Sequence, residues 1–196
     1  GLCRDNGYQI DVFRPADTDQ GQEAYKVNCI AENAGGDIFF GTADGLFRVG
    51  KKDYAIHRVE LDDTQHFIEA LTMDSQQHLW VGTNGSVFEC DEEGRCIRNF
   101  PCNLNNQPAS VASIMEDSNG TIYVLQWRSG ILRKNRGEKA FSSLQWTLSA
   151  TPLQMMEDIQ NQCYWVLTSG AGIQRMFIEG NSCLLKAQPA TMGDAM

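Results

Sequence analysis

Long apolar runs and concentrated positive charge are both scarce in this sequence of 196 residues. No segment approaches the roughly 20 consecutive apolar residues that a membrane-spanning helix requires, so we expect no membrane contact from this segment. Sixteen basic residues against 25 acidic ones give a formal net charge of −9. Because nucleic-acid binding depends on concentrated lysine and arginine, no nucleic-acid partner is expected. The one basic cluster, at 128–139, is expected to be a solvated strand face and turn, or an anion or partner site.

Histidine and closely spaced cysteine pairs are scarce as well. The three histidines, His57, His66 and His78, are too scattered for a metal triad. We therefore expect no metal, no cofactor and no catalytic residue. Seven cysteines form an odd count, which leaves the redox compartment open. Cys90 and Cys96 flank a predicted hairpin turn and would face each other across two strands, either bonded or as small buried thiols.

The start of the chain lacks two features of a complete secreted precursor. It has no basic stretch followed by an apolar one, so no signal peptide is found. It also has no initiator methionine. We expect a processed or excised piece of a longer protein.

What the sequence does contain is a motif that occurs four times. The aromatic second residues of the four copies are Phe39, Trp80, Tyr123 and Trp165, which are separated by 41, 43 and 42 residues. Repeats of about 40 to 45 residues with several short strands are typical of β-propellers.

Each unit predicts four short antiparallel strands joined by turn signals. The second strand is apolar on consecutive residues, which predicts burial on both faces. Gly41 and Gly82 follow the aromatic residue by two positions and suit a close approach of backbones near a crowded axis. Leu125 and Leu167 occupy this position in the last two units. The last strand of the third unit is expected near 144–148.

We therefore predict an all-β fold of β-propeller blades, each with four antiparallel strands, in an incomplete propeller of about four and a half blades. The expected boundaries are a half blade at 1–15, blades at 25–63, 66–102, 109–149 and 152–188, and a tail at 189–196. The tail offers no strand to complete the half blade. Exposed edge strands recruit partners, so self-association through the exposed blade edges is expected.

The motif residues resemble a known family. Residues 114–124 read Ile-Met-Glu-Asp-Ser-Asn-Gly-Thr-Ile-Tyr-Val, residues 79–85 read Leu-Trp-Val-Gly-Thr-Asn-Gly, and the pair Gly45 and Leu46 follows the second strand of the first unit. This pattern resembles the two-component regulator propeller repeat over nearly the whole chain. The fourth unit departs from the pattern at Leu167, by one extra residue before the aromatic position, and at 172–174.

The resemblance implies a function as well as a fold. Similar repeats form the periplasmic sensor regions of hybrid two-component histidine kinases, notably those of gut Bacteroidetes that respond to polysaccharide breakdown products. On this expectation the segment is a non-catalytic, extracytoplasmic ligand-recognition module. It would bind an oligosaccharide or another small ligand, and the kinase would lie elsewhere in the parent protein.

Ligand-binding residues are expected in the loops that differ between units, since the shared positions maintain the blade. After the second strand the units differ at Asp44, Asn84, Trp127 and Arg128. Trp127 beside Arg128 would stack on a sugar ring and bind its acidic group, or anchor a protein partner. The alternative is that Trp127 packs between blades.

One set of one or two carboxylates recurs in each unit, which favours a structural role because a catalytic acid is not needed four times. We expect them to accept backbone N–H groups in turns. They are Glu32, Asp74, Glu116, Asp117, Glu157 and Asp158.

Two other functions stay open at this point. A propeller-class lyase or glycan-active enzyme would need clustered histidines or paired acids on one rim, and the loops show no such cluster. A purely structural protein-interaction propeller would bind no small ligand, so a ligand-induced rise in melting temperature would separate it from a sensor.

Overall fold

The structure is a computed structural model that describes residues 2–13, 26–104 and 107–186. The last residues of the expected half blade, the connector that follows it, and the expected tail at 189–196 lie outside the described residues. None of the described residues forms a helix long and apolar enough to cross a bilayer.

The described chain consists of four four-stranded sheets and two short hairpins. The first hairpin contains β1 (Leu2–Asp5) and β2 (Ile10–Phe13). The first sheet contains β3 (Val27–Glu32), β4 (Ile38–Thr42), β5 (Gly45–Val49) and β6 (Ile56–Val59). The second contains β7 (Ile68–Met73), β8 (Leu79–Thr83), β9 (Ser86–Cys90) and β10 (Cys96–Pro101), and the short strands β11 (Asn103–Leu104) and β12 (Gln107–Pro108) follow it. The third contains β13 (Val111–Glu116), β14 (Ile122–Gln126), β15 (Gly130–Lys134) and β16 (Ser142–Ser143), and the fourth contains β17 (Thr151–Asp158), β18 (Cys163–Ser169), β19 (Gly172–Glu179) and β20 (Ser182–Lys186).

Within each sheet the strands are antiparallel and follow the order of the chain. The first strands of successive sheets contact each other, β3 with β7, β7 with β13 and β13 with β17. This is how the innermost strands of successive propeller blades are arranged, and it confirms the all-β propeller prediction. In the part of the chain that the structure describes, no further four-stranded sheet lies beyond the fourth, so the propeller is incomplete.

A separate apolar core fills each junction between neighbouring sheets. Phe39 and Leu79 share the core between the first and second sheets. Trp80 and Ile122 share the core between the second and third. The hairpin of β1 and β2 packs on the other face of the first sheet, against a core that contains Phe40. Each of the first three sheets therefore buries both of its faces, as repetition of one unit requires.

Burial of the second strand follows the prediction in three units and departs from it in the fourth. All of β8 and β14 is buried, and so is β4 except for its first residue. In β18, by contrast, Leu167 is 41% exposed. The expectation of burial on both faces is therefore wrong for the fourth unit, because no further sheet covers its outer face in the described residues.

The glycines of the second strand lie where neighbouring inner strands approach most closely. A Cβ atom on Gly41 would lie 2.4 Å from Cγ2 of Ile68, and one on Gly82 would lie 2.5 Å from Cγ1 of Val111. These distances confirm the predicted close approach. Leu125 fills the same position in β14 and is fully buried.

The last strand of the third sheet is shorter than expected and lies earlier in the chain. It is β16, two residues long, rather than a strand at 144–148. The backbone nitrogen of Gln145 donates to the carbonyl oxygen of Asn181 at 2.7 Å, and the Gln145 carbonyl accepts from the nitrogen of Cys183 at 3.2 Å. Gln145 therefore pairs with the fourth sheet instead of continuing its own.

The first turn of each unit shows what the recurring carboxylates do. Oδ1 of Asp74 accepts hydrogen bonds from the backbone nitrogens of Gln76 and His78, at 2.9 and 2.7 Å. Oδ1 of Asp117 accepts in the same way from the nitrogen of Thr121, at 2.9 Å. The expected structural role in turns is confirmed for these carboxylates.

The glutamates just before these turns connect neighbouring sheets. The Glu116 carboxylate accepts hydrogen bonds from the backbone nitrogen and hydroxyl of Ser75, at 2.6 and 2.8 Å. Glu157 accepts the equivalent pair from Ser118, at 2.7 and 2.8 Å. The same two-bond connection therefore holds the second sheet to the third and the third to the fourth.

Candidate functional site

The turn after the second strand has a common design in three units. A threonine that ends the strand donates its hydroxyl to the carbonyl oxygen of a residue at the start of the next strand. The pairs are Thr42 with Gly45 at 3.1 Å, Thr83 with Ser86 at 3.0 Å and Thr168 with Gly172 at 2.7 Å. The threonine hydroxyl therefore closes the turn.

Two of the sequence-predicted ligand residues are exposed members of such turns. The Asp44 carbonyl oxygen accepts a hydrogen bond from Nη2 of Arg58 at 2.6 Å, and its carboxylate lies 3.5 Å from Nε2 of Gln65. Asn84 forms a backbone bridge with Ser110, which ties the second sheet to the start of the third. Asp44 and Asn84 thus have local structural partners at the turns.

The third unit departs from this design at the position of the threonine. Gln126 ends β14 there, its side chain is buried, and its Nε2 has no hydrogen-bond partner among the described residues. The loop that follows, 127–129, we call the rim loop. An amide donor replaces the closing hydroxyl, so this turn is held differently from the other three.

Arg128 occupies an unfavourable backbone conformation at the centre of the rim loop. Its φ is +61°, in the left-handed region. The fourth unit has a loop of the same length, and there the central residue is Gly170, with φ +92°. For a residue with a side chain this conformation costs about 1 to 2 kcal/mol. Tyr54, Gln77 and Gln162 adopt the same conformation in turns of the other three units.

Trp127 precedes Arg128 and is not buried. It is 45% exposed, and its backbone nitrogen donates to the carbonyl oxygen of Ser110 at 2.9 Å. The backbone of this residue is therefore fixed while much of its indole surface is open to solvent. This contradicts the alternative in which Trp127 packs between blades.

A cleft of about 320 Å³ lies next to the rim loop, between the second and third sheets. Gln126 and Ser129, the residues that flank Trp127 and Arg128, line it. Its other walls include Asn99, Phe100, Phe141 and Ser143. Small-molecule sites fall in the range of about 300 to 1,000 Å³ and combine apolar walls with a few polar groups. This rim cleft has both properties.

The structure places the four sequence-predicted residues on equivalent turns without joining them directly. No hydrogen bond or ion pair connects them to one another within the described ranges. Sequence reasoning did not select Gln126. A signal was present, because Gln126 stands at the position where the other three units have a threonine.

A second, more polar cleft lies between the third and fourth sheets and has a volume of about 520 Å³. Tyr123 and Tyr164 line it, and their hydroxyl oxygens are 3.1 Å apart. The Tyr164 hydroxyl donates to Oδ2 of Asp117 at 2.9 Å. Burial raises the pKa of Tyr123 to about 12, and burial together with the Tyr123 hydrogen bond also raises the pKa of Tyr164. We call this the tyrosine cleft.

Arg133 also lines the tyrosine cleft. Its Nη1 donates to the carbonyl oxygen of Gly180 at 2.7 Å, and its Nη2 donates to Oδ1 of Asn181 at 2.8 Å. Its Nε is buried and has no hydrogen-bond partner among the described residues. The guanidinium is therefore held in place by the fourth sheet and retains one unused donor.

The three histidines contact different groups. His66 lies 2.8 Å from Oδ1 of Asp62, whereas His57 is exposed on β6. Nδ1 of His78 lies 3.4 Å from Oε1 of Glu89, so this residue is half-buried beside a carboxylate. Within the described ranges, no three His, Cys, Asp or Glu side chains are grouped as a metal ion would require.

Cys90 and Cys96 are partners in the register of β9 and β10. This agrees with the expectation that they face each other across two strands. Both are free thiols in the structure. Burial raises the pKa of the Cys90 thiol, which makes it a poor nucleophile.

No family model matches the sequence, and no curated protein sequence matches it significantly. Solved structures do match the fold. The extracellular domain of the one-component system BT4673 from B. thetaiotaomicron matches with a TM-score of 0.70 and 17% identity, over 94% of this chain and 25% of that chain. An extracellular domain described as that of the hybrid two-component system BT4673 matches with a TM-score of 0.50 and 18% identity, over 85% of this chain and 28% of that one.

Enzymes share the fold as well. Virginiamycin B lyase from Staphylococcus aureus matches with a TM-score of 0.71 and 15% identity, over 93% of this chain and 61% of that chain. The chain thus spans between a quarter and about three fifths of the proteins it resembles. At these identities the likeness establishes a shared propeller fold, which extracellular domains of two-component proteins and a lyase both use.

Proposed function

We propose that the chain is a non-catalytic ligand-recognition segment of an extracytoplasmic sensor of the two-component type. Its ligand is an oligosaccharide released by polysaccharide breakdown, or another small molecule, and it binds at the rim loop. The periplasmic location, the histidine kinase parent and the unit boundaries given above belong to the same proposal. The observation that carries it is the exposed indole of Trp127 beside Arg128, which the rim loop holds in a strained backbone conformation.

The chemistry of the rim loop fits a sugar better than a hydrophobic ligand. An exposed indole offers a flat face on which a pyranose ring can stack, and the adjacent guanidinium offers several donors to hydroxyl or acidic groups. Ser129 and the unused amide donor of Gln126 line the cleft beside it. A site with one aromatic face and several donors suits a ligand that carries many oxygen atoms.

Asp44 and Asn84 belong to the proposed site as secondary contacts. They occupy the turns of the first and second units that correspond to the rim loop, and both are exposed. An oligosaccharide, unlike a single sugar, has the length to contact more than one of these turns.

The structural neighbours support the sensor proposal at the level of the fold, since two of them are extracellular domains of two-component or one-component systems. The alternative of a propeller-class lyase or glycan-active enzyme receives less support from the residues. None of the three histidines lines the rim cleft or the tyrosine cleft.

Self-association is the second part of the proposal. The outer face of the fourth sheet exposes large apolar side chains, among them Met156 at 63%, Ile173 at 61% and Leu167 at 41%. In the other three units the corresponding face is covered by the next sheet. We expect a second copy of the chain to cover this face and the exposed blade edges next to it.

The test of ligand binding is the paired substitution of Trp127→Ala and Arg128→Ala. An oligosaccharide array first identifies a ligand, and calorimetry then compares its affinity for the two proteins. We expect binding to weaken at least tenfold, or about 1.4 kcal/mol, because aromatic and arginine contacts dominate most binding sites. The melting temperature should change little, since neither side chain is part of a core.

Two controls sharpen this experiment. Tyr8→Ala with Arg95→Ala removes an exposed aromatic residue and an exposed arginine elsewhere and should leave the affinity unchanged. Arg128→Gly relieves the left-handed strain while removing the guanidinium, so it should weaken binding and raise stability. Unchanged affinity of the paired variant for the identified ligand would reject the rim loop as the binding site.

A further inference from the structure

The repeated unit allows the three sheet junctions to be compared at equivalent positions. At the first junction Phe39 packs with Leu79, and at the second Trp80 packs with Ile122; all four are almost completely buried. Each pair combines an aromatic residue on one second strand with an aliphatic residue on the next. At the second junction the indole N–H of Trp80 also donates to Oδ2 of the buried Asp74 at 2.8 Å. The repeat therefore pairs an aromatic with an aliphatic residue, and a turn carboxylate accepts the polar hydrogen of the aromatic residue where it has one.

The third junction replaces both members of the pair. Tyr123 stands in place of the aromatic residue and Tyr164 in place of the aliphatic one. Their hydroxyls contact each other and Asp117 inside the junction. The equivalent carboxylate, Asp74, is buried at the second junction too, so the third junction differs by its two hydroxyls, and an aliphatic residue at 164 would remove one of them. A seal between sheets does not need this arrangement.

The same junction contains a volume of about 520 Å³, which is within the range of ligand sites. Arg133 adds the unused Nε–H donor, which is buried in the cleft wall. A buried donor without a partner is unfavourable, so an acceptor that reached Nε would be favoured there. The third junction therefore combines a cleft of ligand size, tyrosines at the positions of the pair and an unused donor.

We propose that the tyrosine cleft is a binding site for a small neutral polyhydroxylated molecule of the size of a mono- or disaccharide. The site is separate from the rim loop and lies at a different junction. This proposal goes beyond the proposed function, and either of the two proposals can be rejected without rejecting the other.

The charges in the cleft decide between neutral and acidic ligands. Arg133 brings one positive charge, whereas Asp117 and Glu157 bring two negative ones. Both oxygens of Glu157 are already used by Ser118. A carboxylate or phosphate on the ligand would therefore meet a lining that is negative overall. Hydroxyl groups, in contrast, can accept from Nε of Arg133 and donate to carboxylate or tyrosine oxygens.

The test measures the Nε–H group of Arg133 directly. Nitrogen-15 NMR of the full chain resolves arginine Nε–H groups, and Arg133→Lys assigns the resonance of Arg133. We expect glucose or maltose to shift this resonance in a saturable manner. Glucuronate, the acidic counterpart of glucose, should bind at least tenfold more weakly than glucose.

Three variants test the geometry. Tyr164→Leu restores the aliphatic residue of the other junctions, should keep the fold, and should weaken sugar binding at least tenfold. Tyr164→Phe removes only the hydroxyl and should reproduce most of this loss. Tyr8→Phe removes a hydroxyl from a fully exposed tyrosine and should bind as the unchanged chain does.

Each outcome has a definite meaning. The inference is overturned if neither neutral sugar shifts the Arg133 resonance, if glucuronate binds more tightly than glucose, or if Tyr164→Leu binds normally. If the paired rim-loop variant abolishes sugar binding while Tyr164→Leu does not, the proposed function stands and the tyrosine cleft is not a site. Loss in Tyr164→Leu together with normal binding by the rim-loop variant supports the cleft alone.

Discussion

Gly82→Ala tests whether the close packing of inner strands stabilises the propeller. Gly82 lies in β8, where a Cβ atom would be 2.5 Å from Cγ1 and 2.9 Å from Cβ of Val111, and 3.2 Å from Cβ of Ala70. Favourable contacts between carbon atoms lie at about 3.5 to 4.0 Å, so the new methyl group overlaps Val111 by about 1 Å. Val111 is fully buried on the next inner strand and has little room to move.

Two effects of opposite sign set the magnitude. Replacing glycine with alanine reduces the conformational entropy of the unfolded chain, which by itself stabilises a protein by about 0.4 to 1 kcal/mol. Overpacking a buried site costs about 1 to 3 kcal/mol. The overlap with a second strand places Gly82→Ala toward the upper part of that range. We expect a net loss of about 1 to 2 kcal/mol in the free energy of unfolding.

Urea denaturation monitored by tryptophan fluorescence measures this change. Val111→Ala removes the clashing Cγ1 and should by itself cost about 2 kcal/mol or more for the lost methyl groups and the cavity. The double variant should be less destabilised than the sum of the two, because the clash is partly relieved. Gly35→Ala is a matched control at an exposed turn, where the new Cβ meets only the end of the Asn33 side chain at 3.2 Å. A neutral or stabilising effect of Gly82→Ala, or strict additivity with Val111→Ala, would refute the packing argument.

Two further predictions concern the tyrosine cleft and the outer face of the fourth sheet. Burial raises the pKa of Tyr123 from its ordinary value of 10.0 to about 12 in the fold. The stability that depends on its neutral form is therefore complete below about pH 10 and is lost as the pH rises to about 12. Urea midpoints across this window should fall more steeply for the unchanged chain than for Tyr123→Phe, and equal slopes would contradict the burial of this hydroxyl. Analytical ultracentrifugation should show a mass that rises with concentration, and Met156→Glu with Ile173→Glu should return the chain to a monomer, whereas a strict monomer before substitution would reject self-association through this face.

The repeat made the fold predictable because it reports the same structural requirement four times. The recurrence of an aromatic residue within an apolar strand indicated a sheet with neighbours on both sides, and Phe39 and Trp80 are buried in that way. The turn carboxylates were predictable for the same reason, since Asp74 and Asp117 perform the same task. In both cases local pattern and tertiary packing specify the same structure.

The positions that sequence reasoning missed are those where one unit differs from the others. The shortened β16 depends on the pairing of Gln145 with the fourth sheet, which is a contact between units that no pattern within a unit encodes. The exposure of Leu167 depends on the absence of a covering sheet among the described residues. The tyrosine cleft was missed because Tyr123 and Tyr164 satisfy the apolar pattern by size, and only their facing positions in space bring the hydroxyls together.

The departures from the repeat are not spread evenly, and this bears on where the function lies. The first two junctions pair an aromatic with an aliphatic residue, with the Trp80 indole bonded to Asp74 at the second, and their turns are closed by threonine. The third unit carries the buried amide of Gln126, the strained Arg128, and the tyrosine-lined junction with the fourth sheet. The left-handed Arg128 and the unpartnered amide of Gln126 cost stability that Gly170 and the threonines of the other units avoid. Comparable costs occur in the other units, where Tyr54, Gln77 and Gln162 also have positive φ and one carboxylate oxygen each of Glu69 and Glu89 is buried without a hydrogen-bond partner among the described residues. The third unit differs in that its departures lie beside clefts. A common explanation in binding is available, since both clefts adjoin this unit, and it predicts that substitutions toward the residues of the other units, such as Gln126→Thr and Tyr164→Leu, will stabilise the chain while removing ligand affinity.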